Sequence, residues 1–135
     1  MEIDYQLRPK RFLWRLVPGS NTTAQAIYPN IYLPKSVYEN LTSSSPKTEY
    51  LAVLEHEKVH IKSQKRLGLI KSFFMYLFNS NFRFEEELAA YKVQIKILKQ
   101  NKQKFHLNKI AKHLSGPMYL WSTSYKNALE RLQNI

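Results

Sequence analysis

The sequence predicts an α+β fold, in which a small N-terminal β-sheet with an edge strand is followed by a helical part. Two observations support this prediction. Two candidate strands that turn residues bound lie in the first third of the chain, the second of them rich in Ile and Tyr, whereas helical periodicity dominates the rest. Strands that precede helices in this way are typical of α+β domains. A chain of 135 residues suits one domain, which we expect to span residues 1–135.

The strand predictions depend on apolar runs and on the turn residues that end them. Residues 12–17 form a candidate strand that ends at Pro18 and Gly19, a pair typical of turns. Residues 24–33 form a second candidate. Its prolines favour an edge strand over a central one, because proline has no N–H to donate to a neighbouring strand.

Periodic apolar positions and end signals predict helices in the rest of the chain. Helices are expected at residues 35–41, 47–67, 81–100, 102–114 and 117–134. The second of these has Ser45 and Pro46 as its start signal and Gly68 as its stop. The run from Leu69 to Phe78 is apolar at nearly every position. Such a run favours a buried core segment over the two alternatives, a hydrophobic wall for substrate and a membrane-leaning loop.

Composition restricts the chemistry and the compartment. The chain has no cysteine, which excludes disulfides and thiolate ligands, so any zinc must be held by His, Asp or Glu. The longest apolar run is too short for a bilayer, which needs about 20 apolar residues. The N-terminal segment lacks the continuous apolar stretch of a signal peptide. We therefore expect a cytoplasmic protein with no membrane span.

The chain is strongly basic, with a formal net charge of +11 from 21 basic and 10 acidic residues. This balance attracts polyanions, so nucleic acid or an acidic protein surface is an expected partner. The alternative is that the Lys-rich helices are solvated faces with no ligand, since the basic residues are spread along the chain.

An HExxH motif lies in the predicted helix 47–67, with His56 and His60 four residues apart. Four residues are about one helical turn, so both imidazoles project from one face and can share a metal ion. Glu57 lies about 100° round the helix from His56. A carboxylate there can reach a water at the open position of the metal without being a ligand, as a general base requires.

Charged residues within the motif are unusual for a peptidase, but the helical wheel explains them. Glu55, Lys58, Lys62 and Lys65 fall on the side away from the two histidines. We therefore expect them on the solvent face of the helix. The alternative for the motif as a whole is a chance occurrence.

A zinc site of this kind needs a third protein ligand and one open position. The metzincin continuation would need Gly at 63 and His at 66, and Ser63 and Arg66 exclude it. Three consecutive carboxylates, Glu85, Glu86 and Glu87, lie in the next long predicted helix. They supply candidate ligands, although three Glu near a helix N-terminus also stabilise the helix dipole.

The segment from Glu87 to Tyr91 has the pattern E-x-x-A-Y, which resembles the glutamate helix of gluzincin peptidases. With the HExxH motif, the stretch 48–91 is similar to the compact members called minigluzincins. The resemblance implies Zn²⁺ held by His56, His60 and Glu87, with Glu86 as the alternative third ligand. It also implies that Ala90 permits close helix packing and that Tyr91 orients a ligand histidine.

The resemblance further implies a zincin-like fold and hydrolysis of peptide bonds in a peptide or protein substrate, with Glu57 as the general base. An extended substrate is expected to lie along residues 26–33 by backbone pairing, and the alternative is an ordinary sheet edge with no ligand. A donor for the oxyanion is needed as well, and the candidates are Tyr119, Tyr125, His106 and His113. Tyr119 is preferred among these four because it follows a turn at a predicted helix start, and the alternative is an ordinary core or surface tyrosine, of which the chain has nine in all. The rival hypothesis is a basic nucleic-acid-associated binding protein whose metal is structural or absent.

Overall fold

The computed structural model describes residues 4–16 and 22–135. In these residues a three-stranded sheet precedes six α-helices, so the predicted α+β order is confirmed. The strands are β1 (Gln6–Pro9), β2 (Gln25–Ile27) and β3 (Asn30–Leu33). The helices are α1 (Lys35–Leu41), α2 (Thr48–Leu67), α3 (Leu69–Phe78), α4 (Ser80–Gln100), α5 (Leu107–Leu114) and α6 (Tyr125–Gln133).

The sheet is mixed, with strand order β1-β3-β2. β1 runs parallel to the central strand β3, and β2 runs antiparallel to it. Ile31 and Leu33 of β3 are fully buried and pack in one apolar cluster with Leu54 and Ile61 of α2. Burial of these alternating residues fixes the register of β3, because a slip of one residue would turn them to the other face.

The predicted strand at 12–17 is wrong for its described part. Phe12–Leu16 forms a short 3-10 helix instead, and Val17 with the turn residues Pro18 and Gly19 lies outside the described residues. Both sides of the central strand are occupied by β1 and β2, so this apolar run finds no place beside β3. β1 itself, with the sequence QLRP, is too short for its pattern to predict a strand.

The predicted strand at 24–33 is divided in two. A turn at Tyr28 and Pro29 separates β2 from β3, which pair with one another as a hairpin. Pro29 has no N–H for a strand ladder, so the chain turns where the proline stands. The edge position that the prolines predicted therefore applies to β2 alone, while β3 is central.

The helix predictions at 35–41, 47–67 and 81–100 are confirmed to within one residue by α1, α2 and α4. The start signal for α2 is wrong, because Lys47 and not Ser45 precedes its first turn. The Lys47 N–H donates to Asn40 Oδ1 at 2.8 Å, which ties this start to α1. Gly68 ends α2 with a positive φ of 88°, as its role as a stop residue predicts.

The two C-terminal helix predictions are too long. The stretch at 102–114 is helical over Leu107–Leu114, and the predicted helix at 117–134 is broken into a 3-10 turn at Pro117–Tyr119 and α6. Leu120 and Trp121 separate the two parts with positive φ values of 51° and 49°. Residues with positive φ cannot continue a right-handed helix.

α2 and α4 pack along one another between two apolar clusters. One cluster lies between α2 and the sheet, and the other lies between α4, α5 and α6. Side chains that project from α2 toward α4 therefore meet in the interior of the protein. Within the described ranges, no helix combines the length and the apolar character that crossing a membrane requires.

Candidate metal centre

The two histidines of the motif lie side by side on α2, as their spacing predicts. The imidazole centroids of His56 and His60 are 5.2 Å apart, and both side chains are nearly excluded from solvent. Lys62 and Lys65 are exposed on the other face, and Lys58 forms a 2.7 Å ion pair with Glu55. The prediction of a solvent face is confirmed for Lys62 and Lys65, whereas Glu55 and Lys58 are half-buried.

α4 brings Glu87 against both imidazoles. Its carboxylate oxygen Oε2 lies 3.4 Å from Nε2 of His56, and Oε1 lies 3.4 Å from Nε2 of His60. One ligand atom from each of the three residues lies within 4.8 Å of the others. The structure therefore unites His56, His60 and Glu87, the three residues that the sequence singled out as ligands.

The chemistry of this group fits a divalent metal. Glu87 is 4% exposed, and its Oε2 has no hydrogen-bond partner within the described residues. A buried carboxylate oxygen without a partner is costly unless a cation satisfies it. Two imidazole nitrogens and one carboxylate form a donor set that Zn²⁺ accepts, and they leave a further coordination position for water or substrate.

A second acceptor lies behind each imidazole. Nδ1 of His56 is 2.9 Å from Oε1 of Gln94, and Nδ1 of His60 is 3.6 Å from Oε2 of Glu86. Ser63 holds Glu86 in turn through a 2.6 Å hydrogen bond from its hydroxyl. These contacts turn both Nε2 atoms toward Glu87, which is the arrangement that metal-binding histidines require.

The other carboxylates of the triplet have different neighbours. Glu86 faces Nδ1 of His60, so it lies behind a ligand and outside the group of three. Glu85 forms a bidentate pair with Arg131 near the surface, at 2.9 and 3.0 Å. Glu87 is therefore the carboxylate of the triplet that could hold a metal ion together with both histidines.

The predicted role of Tyr91 as the partner of a ligand histidine is wrong. Its ring packs edge-on against His56, with centroids 4.6 Å apart, but its hydroxyl lies 3.2 Å from the hydroxyl of Tyr119. Gln94 orients His56 in its place. Gln94 lies seven residues, about two turns, after Glu87 and so shares its face of α4. That spacing is the sequence feature that could have revealed it.

Burial and charge set the protonation of the group. Burial acts to raise the pKa of Glu87, but the adjacent His60 and His56 outweigh it and leave the pKa below its usual range. Burial acts to lower the pKa of His60, and Glu87 and Glu86 reverse this, so the pKa lies well above its usual value. The adjacent carboxylates therefore favour the protonated form of His60.

Glu57 is buried at the cavity beside the ligands. Burial raises its pKa, although His56, His60 and Lys10 act in the opposite direction. A carboxylate with a raised pKa exchanges protons more readily near neutral pH than an exposed glutamate does. This is the property that a general base and acid needs.

Two phenols also face the cavity. Tyr119 lines it with its hydroxyl next to that of Tyr91, and burial raises the pKa of Tyr119 well above its usual value. Tyr76 of α3 donates a 2.6 Å hydrogen bond to Oε1 of Glu87. The sequence did not single out Tyr76, because the run in which it lies was expected to be core.

The other candidates for an oxyanion donor lie away from this cavity. His106 is exposed just before α5, and Tyr125 is 44% exposed at the start of α6. His113 is exposed too, and its ring packs against Tyr119 with centroids 6.4 Å apart. None of the three is among the described residues that line the cavity.

The cavity has a volume of about 660 Å³, and His56, His60 and Glu87 lie at its base together with Glu57. One wall is α3, which supplies Ile70, Phe73 and Phe74. These side chains are exposed, so the prediction that this run is core is wrong. α2 and α4 already pack on one another, so α3 contributes little to the core. Ser72 of α3 is buried, and most of the apolar side chains of this helix are exposed to solvent.

The opposite wall is the outer edge of β2, which Gln64 partly occupies. The Gln64 side chain donates to the carbonyl of Ala26 at 2.9 Å and accepts from the N–H of Tyr28 at 2.7 Å. An extended peptide cannot pair there, and β3 is central, so the expected pairing surface at 26–33 is wrong in extent. By strand alternation, Ala24 and the N–H of Ala26 also point to this outer edge.

Comparison of the chain with protein-family models, with curated proteins and with solved structures finds no match. The class of protein is therefore defined by the fold and the site alone: an α+β protein with a buried His-His-Glu group at the base of an apolar cavity. Its function is inferred from the chemistry of those residues.

Proposed function

We propose that the protein is a zinc-dependent peptidase of the compact gluzincin type, with a zincin-like fold. One observation carries the proposal: the buried group of His56, His60 and Glu87 lies at the base of a cavity that Glu57 also lines. A metal site with an adjacent carboxylate and room for substrate is what hydrolysis by an activated water requires.

Zinc held by His56, His60 and Glu87 would act as a Lewis acid on the scissile carbonyl and would lower the pKa of a water at its open position. The protein's part is to fix the three ligands. Gln94 and Glu86 hold the two imidazoles from behind, and Tyr76 holds the carboxylate through its hydroxyl.

Glu57 carries the proton in this proposal. Its carboxylate accepts a proton from the attacking water and delivers it to the nitrogen of the leaving amine. Burial raises the pKa of Glu57, which favours both halves of that transfer near neutral pH. Tyr119 donates its O–H to the oxyanion that develops on the carbonyl oxygen, and Tyr91 orients that hydroxyl.

A peptide in this cavity would lie between β2 and α3. Backbone pairing is limited to the part of the β2 edge around Ala24 and Ala26, because Gln64 occupies the next position. Phe73 and Phe74 of α3 offer apolar contacts to the substrate side chains. Short extended segments with apolar side chains are therefore the expected substrates.

The proposal is tested by metal content and by Glu57→Gln. We expect about one zinc per chain by elemental analysis. Glu57→Gln should keep that zinc and lose roughly 10²–10⁴-fold in the cleavage of denatured casein, because an amide cannot accept the proton. Glu85→Gln is the matched control, since Glu85 lies near the surface with Arg131, and it should cleave as the wild type does.

Two results would contradict the peptidase proposal. Protein refolded with zinc that retains none would exclude the metal site. Zinc-loaded protein whose cleavage is equal in the wild type and in Glu57→Gln would exclude the role of Glu57.

The net charge of +11 favours a second candidate, a nucleic-acid-binding protein in which a metal is structural. That function predicts tight binding to single- or double-stranded nucleic acid that falls steeply as salt is added. Glu57→Gln should not change this binding, so the same variant separates the two candidates.

A further inference from the structure

An exposed apolar surface borders the cavity. Four of its residues come from α3 and two from the turn that precedes α6, and each is between 45% and 76% exposed. This apolar rim consists of Ile70, Phe73, Phe74, Phe78, Leu120 and Trp121. Scattered exposed apolar residues are ordinary, but a contiguous group next to a cavity marks an interaction surface.

Arg83 of α4 joins the two parts of the rim. It is 3% exposed, and its guanidinium donates to the carbonyls of Tyr76 and Leu77 at the end of α3. The same group donates to the carbonyl of Tyr119 at 2.8 Å and to that of Leu120 at 3.4 Å. One planar guanidinium therefore holds both segments, so the exposed ends of α3 and of the turn are neighbours.

The charged residues of α3 and of the end of α2 are basic, while Glu57, Glu86 and Glu87 lie inside the cavity. Residues 58–84, which include α3, hold six Lys or Arg and no Asp or Glu, and residues 88–129 hold eight and none. Lys65 and Arg66 are exposed where α2 ends, just before the rim begins, and Lys71 is exposed on α3 itself. A partner that binds this surface needs an apolar interior for the rim and a negatively charged outer layer for the cations.

We propose that the apolar rim binds the surface of a membrane rich in anionic lipid. Ile70, Phe78 and Trp121 enter the boundary between headgroups and acyl chains, while Lys65, Arg66 and Lys71 lie among the phosphates. The cavity then opens beside the lipid surface. This inference does not depend on the proposed peptidase activity.

The side-chain chemistry of the rim favours lipid over other partners. Nucleic acid stacks on aromatic rings but gains little from aliphatic side chains such as Ile70 and Leu120. A second copy of the chain would set Lys65, Arg66 and Lys71 of both copies close together, which like-charge repulsion opposes. An anionic bilayer satisfies both the aliphatic and the cationic parts.

The test is flotation of the full-length protein with vesicles of phosphatidylglycerol and phosphatidylcholine in equal parts. The protein should float with these and not with phosphatidylcholine alone, because the cations need anionic headgroups. Ile70→Ser/Phe78→Ser should weaken binding at least about tenfold. These two side chains are the most exposed of the rim, so the fold is expected to tolerate the change. Leu51→Ser is the control, at the opposite end of α2.

Charge and depth have separate measurements. Neutralising Lys65, Arg66 and Lys71 to Gln should weaken binding on the order of 100-fold, and Gln at Lys92, Lys96 and Lys104 should change it far less. In Trp14→Phe, Trp121 is the remaining tryptophan. Its emission should shift to shorter wavelength on mixed vesicles.

Any one of three outcomes overturns the proposal. The first is a wild type that stays unbound with mixed vesicles. The second is equal binding by Ile70→Ser/Phe78→Ser and Leu51→Ser, with circular dichroism unchanged in both. The third is loss, in Ile70→Ser/Phe78→Ser, of self-association or of nucleic-acid binding but not of vesicle binding, which would assign the rim to that partner.

Discussion

The two imidazoles of α2 face the same carboxylate, yet their surroundings differ. Behind His56 lies the neutral amide of Gln94, at 2.9 Å, and the Tyr91 ring packs edge-on against the imidazole. His60 has a second carboxylate behind it, from Glu86 at 3.6 Å, which Ser63 holds in place. His56 is thus oriented by a dipole and His60 by a charge.

The two histidines therefore separate two effects, the orientation of an imidazole ring and its basicity. An amide fixes the tautomer of a histidine, whereas a carboxylate also stabilises positive charge on the ring. The pKa of His60 accordingly lies well above its usual value despite burial, through Glu87 and Glu86. Competition between a proton and a metal ion should therefore be strongest at His60.

The largest expected effect comes from the carboxylate that both imidazoles share. Glu87→Gln should weaken zinc binding several hundredfold, since a structural zinc site is worth roughly 10–16 kcal/mol over all its ligands. Competition with a chelating dye measures this affinity. Glu85→Gln is the control and should bind as the wild type does. If Glu86→Gln were more damaging than Glu87→Gln, the assignment of the third ligand would reverse.

A smaller effect is expected behind the rings. Loss of an outer partner typically costs about 10–100-fold in metal affinity. Glu86→Gln should lie at the upper end of this range, because it removes charge from His60. Gln94→Ala should lie at the lower end, because it removes orientation from His56 alone. The same dye competition compares them, and an equal loss in both variants would show that charge adds nothing to orientation.

The smallest expected effect is a shift in pH dependence. The raised pKa of His60 means that zinc must displace a proton at neutral pH, so affinity should rise with pH until it passes that pKa, up to about tenfold per pH unit for one proton. In Glu86→Gln the pKa of His60 falls, and the rise should end at lower pH. Dye competition over a pH series measures both curves, and a curve that stayed flat for the wild type would contradict the charge assigned to His60.

Local periodicity made part of the site predictable. His56, Glu57 and His60 lie within two turns of one helix, so their mutual geometry follows from helix dimensions alone. The solvent-facing side of α2 followed for the same reason. Glu87 was predicted through resemblance to a known two-helix motif, and the structure brings it to the predicted place.

Other parts depend on contacts that no local pattern encodes. The run that contains Tyr76 was expected to be core because it is apolar. In the structure α2 and α4 pack on one another, α3 packs beside them, and Tyr76 lines the cavity. The helix predicted at 117–134 breaks where Arg83, distant in sequence, accommodates the carbonyls of Tyr119 and Leu120. Gln64 closes part of the β2 edge from a different element.

The sequence by itself therefore determined the α+β order, the long helices and the face of α2 that carries the motif, since each depends on neighbours within a few turns. Tertiary structure alone decided what stands behind each imidazole, which tyrosines face the cavity, how much of β2 is open and that α3 is exposed. Those features depend on which elements pack together, and packing joins residues whose separation along the chain carries no period.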